Sequence, residues 1–276
     1  MVPPTPSTDV LFGRRSSDHL PPAAAASPRG DAMLEALLAG DMVELAFQPQ
    51  LSVATGAVVG VEVLARDPGG MSPDTMFARA AAVALGERLS RAIQRKALRT
   101  AARWTGPLAA LRLSLNLLPE DLARPGYDRW LLDEIAAAGI DPRRVTAEIT
   151  ESSLIADPAA AAARLACLRA AGIRIAVDDF GTGYASLAWL TTLPLDLIKI
   201  DRGLIGDLVG GRRAQIVVKA MIALARELEL EVLVEGVEDP EQLVLLKQWG
   251  CDQYQGFLGA KAMNEGELEA FLAPGR

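Results

Sequence analysis

A modified (β/α)8 barrel, TIM-like and with an antiparallel first strand, is the α/β fold class that the sequence predicts. Three observations carry it. The chain has 276 residues, half of them hydrophobic, which suits one α/β barrel of about 200–250 residues. Eight strand-like segments alternate with Ala- and Leu-rich segments of helical periodicity, the pattern of parallel strands joined by helical crossovers. The first two strand segments are separated only by Ala54-Thr55-Gly56, too short for a helix, so they pair as a hairpin. A doubly wound open sheet is the alternative closure.

Taken in order, residues 1–30 are rich in Pro, Ala and Ser without apolar periodicity and read as a disordered tail. Asp31 begins a helical stretch over Ala32–Leu38 that Gly40 ends, and the barrel is expected over residues 31–273. Strands are predicted at Glu44–Val53, Ala57–Ala65, Leu111–Leu117, Val145–Thr150, Ile173–Asp179, Leu195–Asp201, Glu231–Val237 and Tyr254–Leu258. Helices are predicted between them, as at Pro158–Ala171, Arg213–Leu228 and Asp239–Gln248.

Composition narrows the function. Net charge is −7, which argues against duplex nucleic acid as a partner. Cys167 and Cys251 have no metal spacing and read as small buried hydrophobes. The single histidine, His19, lies in the tail, so histidine-based chemistry is nearly closed. Arg14-Arg15 is not followed by an apolar core, and no apolar run is long enough to span a membrane. A soluble, cytoplasmic chain without membrane association is expected.

Alternate side chains on a strand face opposite sides. Glu62, Asn116, Glu148, Asp178, Lys199 and Glu235 each oppose a greasy face near the C-terminal end of a different strand segment. In a barrel these six groups converge at the mouth, where barrel enzymes keep their active sites. Alone, each would read as a solvated strand-end group. Together they place four carboxylates and a lysine in an interior, which is very costly unless a cation compensates them. Glu62, Asn116, Glu148, Asp178, Asp179 and Glu235 offer only oxygen, which selects hard ions such as Mg²⁺ or Mn²⁺. The set is large enough for two ions sharing a ligand, the arrangement that hydrolyses phosphodiesters with metals about 3.5–4 Å apart. Lys199 can hold the attacking water, and Glu235 can accept a proton.

Glu62-Val63-Leu64-Ala65-Arg66 resembles the Glu-x-Leu-x-Arg signature of the EAL family. Phe47-Gln48-Pro49, Leu115-Asn116, Glu148-Ile149-Thr150-Glu151, Asp178 through Tyr184, Lys199-Ile200-Asp201, Glu235-Gly236-Val237-Glu238 and Gln255-Gly256-Phe257 stand around it in the family's order. The resemblance implies a barrel that binds cyclic di-GMP across its mouth and hydrolyses it to linear pGpG. It implies that Glu62, Asn116, Glu148 and Asp178 hold the first metal, with Asp179 and Glu235 close to the second. Lys199 matches the lysine that positions water, and Asp201 matches a helper beside the substrate. Gln48, Arg66 and Gln255 match substrate contacts, and Glu151 matches an anchor for the loop after Asp179. A homodimer is expected by the same resemblance.

The sequence also departs from the family. Val63 stands where the signature has alanine, and Asp67-Pro68-Gly69-Gly70-Met71 replaces a longer loop with a Trp. Ala82 stands where a glutamate is usual, and no proline follows Gln255-Gly256-Phe257. These changes touch the rim. They motivate an alternative, a weakly catalytic EAL domain that acts as a cyclic di-GMP receptor or protein-interaction module. A sugar-phosphate barrel enzyme would need a phosphate cradle in the last loops, which the sequence lacks.

Overall fold

The computed structural model describes residues 30–150, 157–181 and 187–273. Eight strands form a closed barrel in chain order: β1 (Glu44–Ser52), β2 (Val58–Arg66), β3 (Arg112–Leu117), β4 (Val145–Thr150), β5 (Arg174–Phe180), β6 (Leu197–Ile200), β7 (Glu231–Val234) and β8 (Gln253–Tyr254). Closure excludes the doubly wound alternative. β1 runs antiparallel to β2 and to β8, and the other neighbours are parallel. The tight return explains the hairpin: the Ser52 N–H donates to Ala57 O at 2.8 Å, and Gly56 takes φ 71°, a conformation that glycine adopts without steric cost.

Among the described residues, the helices are α1 (Ala32–Ala39), α2 (Pro73–Ala82), α3 (Gly86–Ala101), α4 (Pro119–Ala123), α5 (Tyr127–Ala138), α6 (Pro158–Ala170), α7 (Leu187–Thr192), α8 (Arg212–Glu227), α9 (Pro240–Trp249) and α10 (Glu265–Leu272). Their starts are written locally. Asp157 caps α6, Asp239 caps α9 and Asn264 caps α10, each accepting from a backbone N–H of the first turn. None is long and apolar enough to cross a membrane.

Two apolar layers result. The outward faces of the strands pack against the helices, with Val61, Leu113, Leu115, Ala147, Ile149, Ile175, Ile198 and Val232 all buried. Inside the barrel, Ala176, Leu197 and Leu233 form a separate buried plug. Each lies two residues before a member of the polar set, Asp178, Lys199 and Glu235, so the mouth has a greasy floor.

Three expectations need correction. β8 ends at Tyr254 rather than Leu258, because Gly256 lets the backbone fold closely over Val237. A Cβ at Gly256 would stand 2.2 Å from Val237 O. β6 and β7 are also shorter than predicted, since Asp201 already caps a helical turn and Glu235 follows the last strand residue. Cys167 is exposed. On α6 the buried stripe is Ala161, Leu165 and Leu168, and Cys167 lies about half a turn away from Leu165. Cys251 is buried as expected. Residues 1–29, Glu151 and the Thr182–Tyr184 part of the loop lie outside the described residues.

Candidate active site

Lys199 is the centre of the barrel mouth. It is fully buried, and its Nζ meets Glu148 Oε2 at 2.8 Å, Glu235 Oε1 at 2.9 Å, Asp178 Oδ2 at 3.1 Å and Glu62 Oε2 at 3.6 Å. Strand parity delivers them: Glu62, Glu148, Asp178 and Lys199 all lie on inward positions of their strands. Glu235 arrives one residue beyond β7, fixed by its N–H donating to Ile200 O at 3.0 Å.

Two further side chains orient Glu62. Asn116 Nδ2 donates to Glu62 Oε1 at 3.1 Å, and Gln255 Nε2 donates to Glu62 Oε2 at 2.7 Å. Using Nδ2 this way leaves Asn116 Oδ1 as the atom that could ligate a cation. Gln255 Oε1 is buried and has no hydrogen-bond partner among the described residues.

Asp179 needs a different explanation, because strict alternation would send it away from Asp178. The pairing of β5 with β6 slips between Val177 and Phe180, and Asp179 takes φ 55°. A bulge with one left-handed residue turns two consecutive carboxylates toward the same opening, and aspartate tolerates that conformation better than most residues. The Asp179 N–H donates to Asp178 Oδ1 at 2.9 Å.

Glu62, Glu148 and Asp178 bring one oxygen each within 4.8 Å of one another, and so do Asp178, Asp179 and Glu235. Asp178 belongs to both triads.

The electrostatics show what this cluster lacks. Burial works against the Lys199 charge, but the carboxylates of Asp178, Glu148, Glu62 and Glu235 hold its pKa well above normal. Lys199 is therefore charged. Burial pushes Glu148 up to about 8, opposed by Lys199 and reinforced by Glu62 and Asp178. Burial likewise pushes Glu235 up to about 7. Burial also acts on Glu62, yet Lys199 together with the Gln255, Asn116 and Lys199 hydrogen bonds keeps its carboxyl below normal. Asp179 is raised by burial and by the charges of Asp178 and Asp201. One ammonium cannot balance four surrounding carboxylates in a dry pocket. The donors are all oxygen and the excess charge is negative, so the residues fit hard divalent cations.

The other sequence candidates stand around this centre. Gln48 lies opposite Glu62 in the β1–β2 pairing. Arg66 ends β2, half-buried, with Nη1 donating to Ala65 O at 2.9 Å. Asp201 follows β6 and accepts from the Gly203 N–H at 2.7 Å. The sequence reading did not single out Gln50 and Ser114. Gln50 Nε2 donates to Glu148 Oε1 at 3.4 Å and to Ser114 Oγ at 3.3 Å, so the β1–β3 side beneath the cluster is polar while the β5–β7 side is apolar. Their parity with Gln48 and Asn116 was the available signal. Beside Arg66, Asp67 is buried and gathers the short rim loop, its Oδ2 accepting from the Met71 N–H at 3.0 Å.

Comparison with known proteins agrees with this geometry. A family model described as the EAL domain matches residues 31–262. The cyclic di-GMP phosphodiesterase PA2567 of Pseudomonas aeruginosa is 36% identical over 232 residues, 83% of this chain and 40% of its own length. The cyclic di-GMP phosphodiesterase NbdA of the same organism is 34% identical over 244 residues, 87% of this chain and 31% of its own. The chain thus spans less than half the length of these curated relatives. Among solved structures, the PaMucR phosphodiesterase in complex with c-di-GMP is similar with TM-score 0.79 and 31% identity, over 85% of this chain and 97% of that one. BlrP1 of Klebsiella pneumoniae, solved as a manganese and cy-diGMP complex, is similar with TM-score 0.74 and 34% identity, over 80% of this chain and 56% of that one.

Proposed function

The chain belongs to the EAL-domain family, and from that premise we propose that it is a metal-dependent phosphodiesterase that opens cyclic di-GMP to linear pGpG. The observation that carries the reading is the sharing of Asp178 between two acidic triads, which suits two cations held side by side. Relatives named as cyclic di-GMP phosphodiesterases, and one solved with manganese, support the substrate and the class of metal.

In this reading Glu62, Asn116, Glu148 and Asp178 hold one Mg²⁺ or Mn²⁺, while Asp179 and Glu235 hold the second with Asp178. When bound, such ions lower the pKa of a water and neutralise charge on the phosphoryl oxygens. Lys199 orients the attacking water and meets the charge that develops on the phosphoryl group. Glu235 accepts the proton that the water gives up.

Arg66 offers a charge to a phosphate, and Gln48 and Asp201 contact the nucleotide from either side of the opening. Gln255 contributes its unpaired Oε1 as an acceptor. Glu151 is assigned, from the family resemblance, to anchor the loop after Asp179. A cytoplasmic homodimer with residues 1–30 as an appended tail completes the proposal. The receptor alternative has no missing metal ligand and no missing lysine to rest on.

Product analysis tests this. The full chain incubated with cyclic di-GMP and Mg²⁺ or Mn²⁺ is expected to accumulate pGpG, to stop on addition of EDTA and to resume when the ion is restored. Cyclic di-GMP that is bound but never cleaved would overturn the reading in favour of the receptor.

A further inference from the structure

Next to the carboxylate cluster lies a second buried polar network, built on α3 rather than on the strands. Gln94 is 1% exposed. Its Nε2 donates to the main-chain carbonyl of Asn116 at 3.1 Å and to Ser90 Oγ at 3.1 Å, and its Oε1 accepts from the Tyr127 hydroxyl at 2.9 Å. Ser90 Oγ in turn donates to Asp121 Oδ2 at 2.6 Å, and that same oxygen accepts from the Leu118 N–H at 3.1 Å. Such a network often does no more than satisfy a core. Its attachment points argue for more.

The pairing of β2 with β3 ends at Glu62 and Ser114, while β1 and β2 continue together to Glu44 and Arg66. Beyond Ser114, β3 therefore has no ladder pairing with β2, although β2 continues beside β1, and it is here that Asn116 presents its side chain. A strand-end carbonyl needs a donor when buried, and the Gln94 amide supplies it from a helix. Two residues on, Asp121 holds the Leu118 N–H. The α3–α4 network thus grips the main chain on both sides of Leu117 and fixes the corner from which Asn116 reaches Glu62.

We infer that Gln94 is a positioning residue for the cation centre: it sets the main chain of Asn116, and through it the place of the Asn116 side chain as a metal ligand. The inference rests on the metal-centre reading proposed above. Groups that orient a metal ligand change metal affinity by about 10–100-fold when removed, without touching the ion.

The test is direct Mn²⁺ binding to the substrate-free full chain by titration calorimetry, with thermal melts alongside. Gln94→Met keeps the length and loses both polar atoms. Gln94→Met combined with Tyr127→Phe also removes the hydroxyl that would otherwise be left unpaired, so it preserves a folded protein if the single variant fails. Leu246→Ala, at a fully buried position of α9 that takes no part in the network, controls for simple loss of stability. The expected result is Mn²⁺ affinity about tenfold weaker in both Gln94 variants. Leu246→Ala should melt lower yet bind Mn²⁺ within about twofold of wild type, because the network lies on other elements. Wild-type affinity in the folded Gln94 variants would overturn the inference while leaving the centre intact. Equal weakening in Leu246→Ala would overturn it too, since lost packing anywhere in the core would then suffice. A wild-type chain that binds no Mn²⁺ would overturn the metal-centre reading itself, and the inference with it.

Discussion

Lys199 illustrates how a residue can be costly to the fold and, in the proposed mechanism, required by the chemistry. A fully buried ammonium survives here because four carboxyl groups lie within 3.6 Å of it. In the proposed mechanism, replacing it with Ala removes the group that meets developing charge, so kcat is expected to fall by at least about 10². Steady-state turnover of folded Lys199→Ala near the wild-type value would contradict its role. The cysteines give an independent check. Burial pushes Cys251 up to about 12, while Cys167 is exposed. A thiol reagent is expected to titrate one cysteine in the native protein and the second only on unfolding; two fast thiols would contradict the packing of Cys251. Most of the centre was legible at this scale, because period-two alternation alone collected Glu62, Asn116, Glu148, Asp178 and Lys199 on one face. It could not explain Asp179, whose orientation depends on a bulge. Nor could it find Gln94, because no strand periodicity reports on a helix side chain that reaches into a sheet.

At the scale of elements, ends and turns decide more than the strands themselves. Asp31 caps α1 through the Leu34 N–H and also grips Arg79 of α2, with Nε and Nη2 each at 2.8 Å. Asp31→Ala should cost about 1–2 kcal/mol, from cap and ion pair together. The Arg79 hydrogen bonds hold the Asp31 carboxyl below its ordinary 3.8. A depressed carboxylate contributes stability above its unfolded pKa and loses it as the pH falls through the folded one. The gap in melting temperature between wild type and Asp31→Ala should therefore narrow in acid; a gap that widened there would reverse the assignment. Just beyond β8, Gly256 takes φ 155° with a hypothetical Cβ 2.2 Å from Val237 O and 2.3 Å from Val237 N. Gly256→Ala should destabilise by at least about 2 kcal/mol, since backbone rather than a flexible side chain must move. Denaturant unfolding close to wild type would contradict that close approach. The shortening of β8 was hidden in the sequence for this reason: Gln255-Gly256-Phe257 looks strand-like until the glycine's contact with Val237 is known.

Across the whole molecule, alternation of strands and helices predicted the barrel, and the three-residue return after β1 predicted its antiparallel start. Closure itself was not written in any one segment. It depends on two-residue β8 pairing with both β7 and β1, contacts that join the two ends of the chain. The closed barrel also explains why the carboxylates belong together: the Ala176, Leu197 and Leu233 plug excludes water from below, so compensation must come through the mouth. In the proposed centre, Asp178 joins two cation positions. Equilibrium dialysis of the full chain against Mn²⁺ is the direct test of that sharing. Two Mn²⁺ per wild-type chain are expected, with both bound more weakly by folded Asp178→Ala; a single Mn²⁺ in wild type, or two bound undiminished without Asp178, would refute the shared centre.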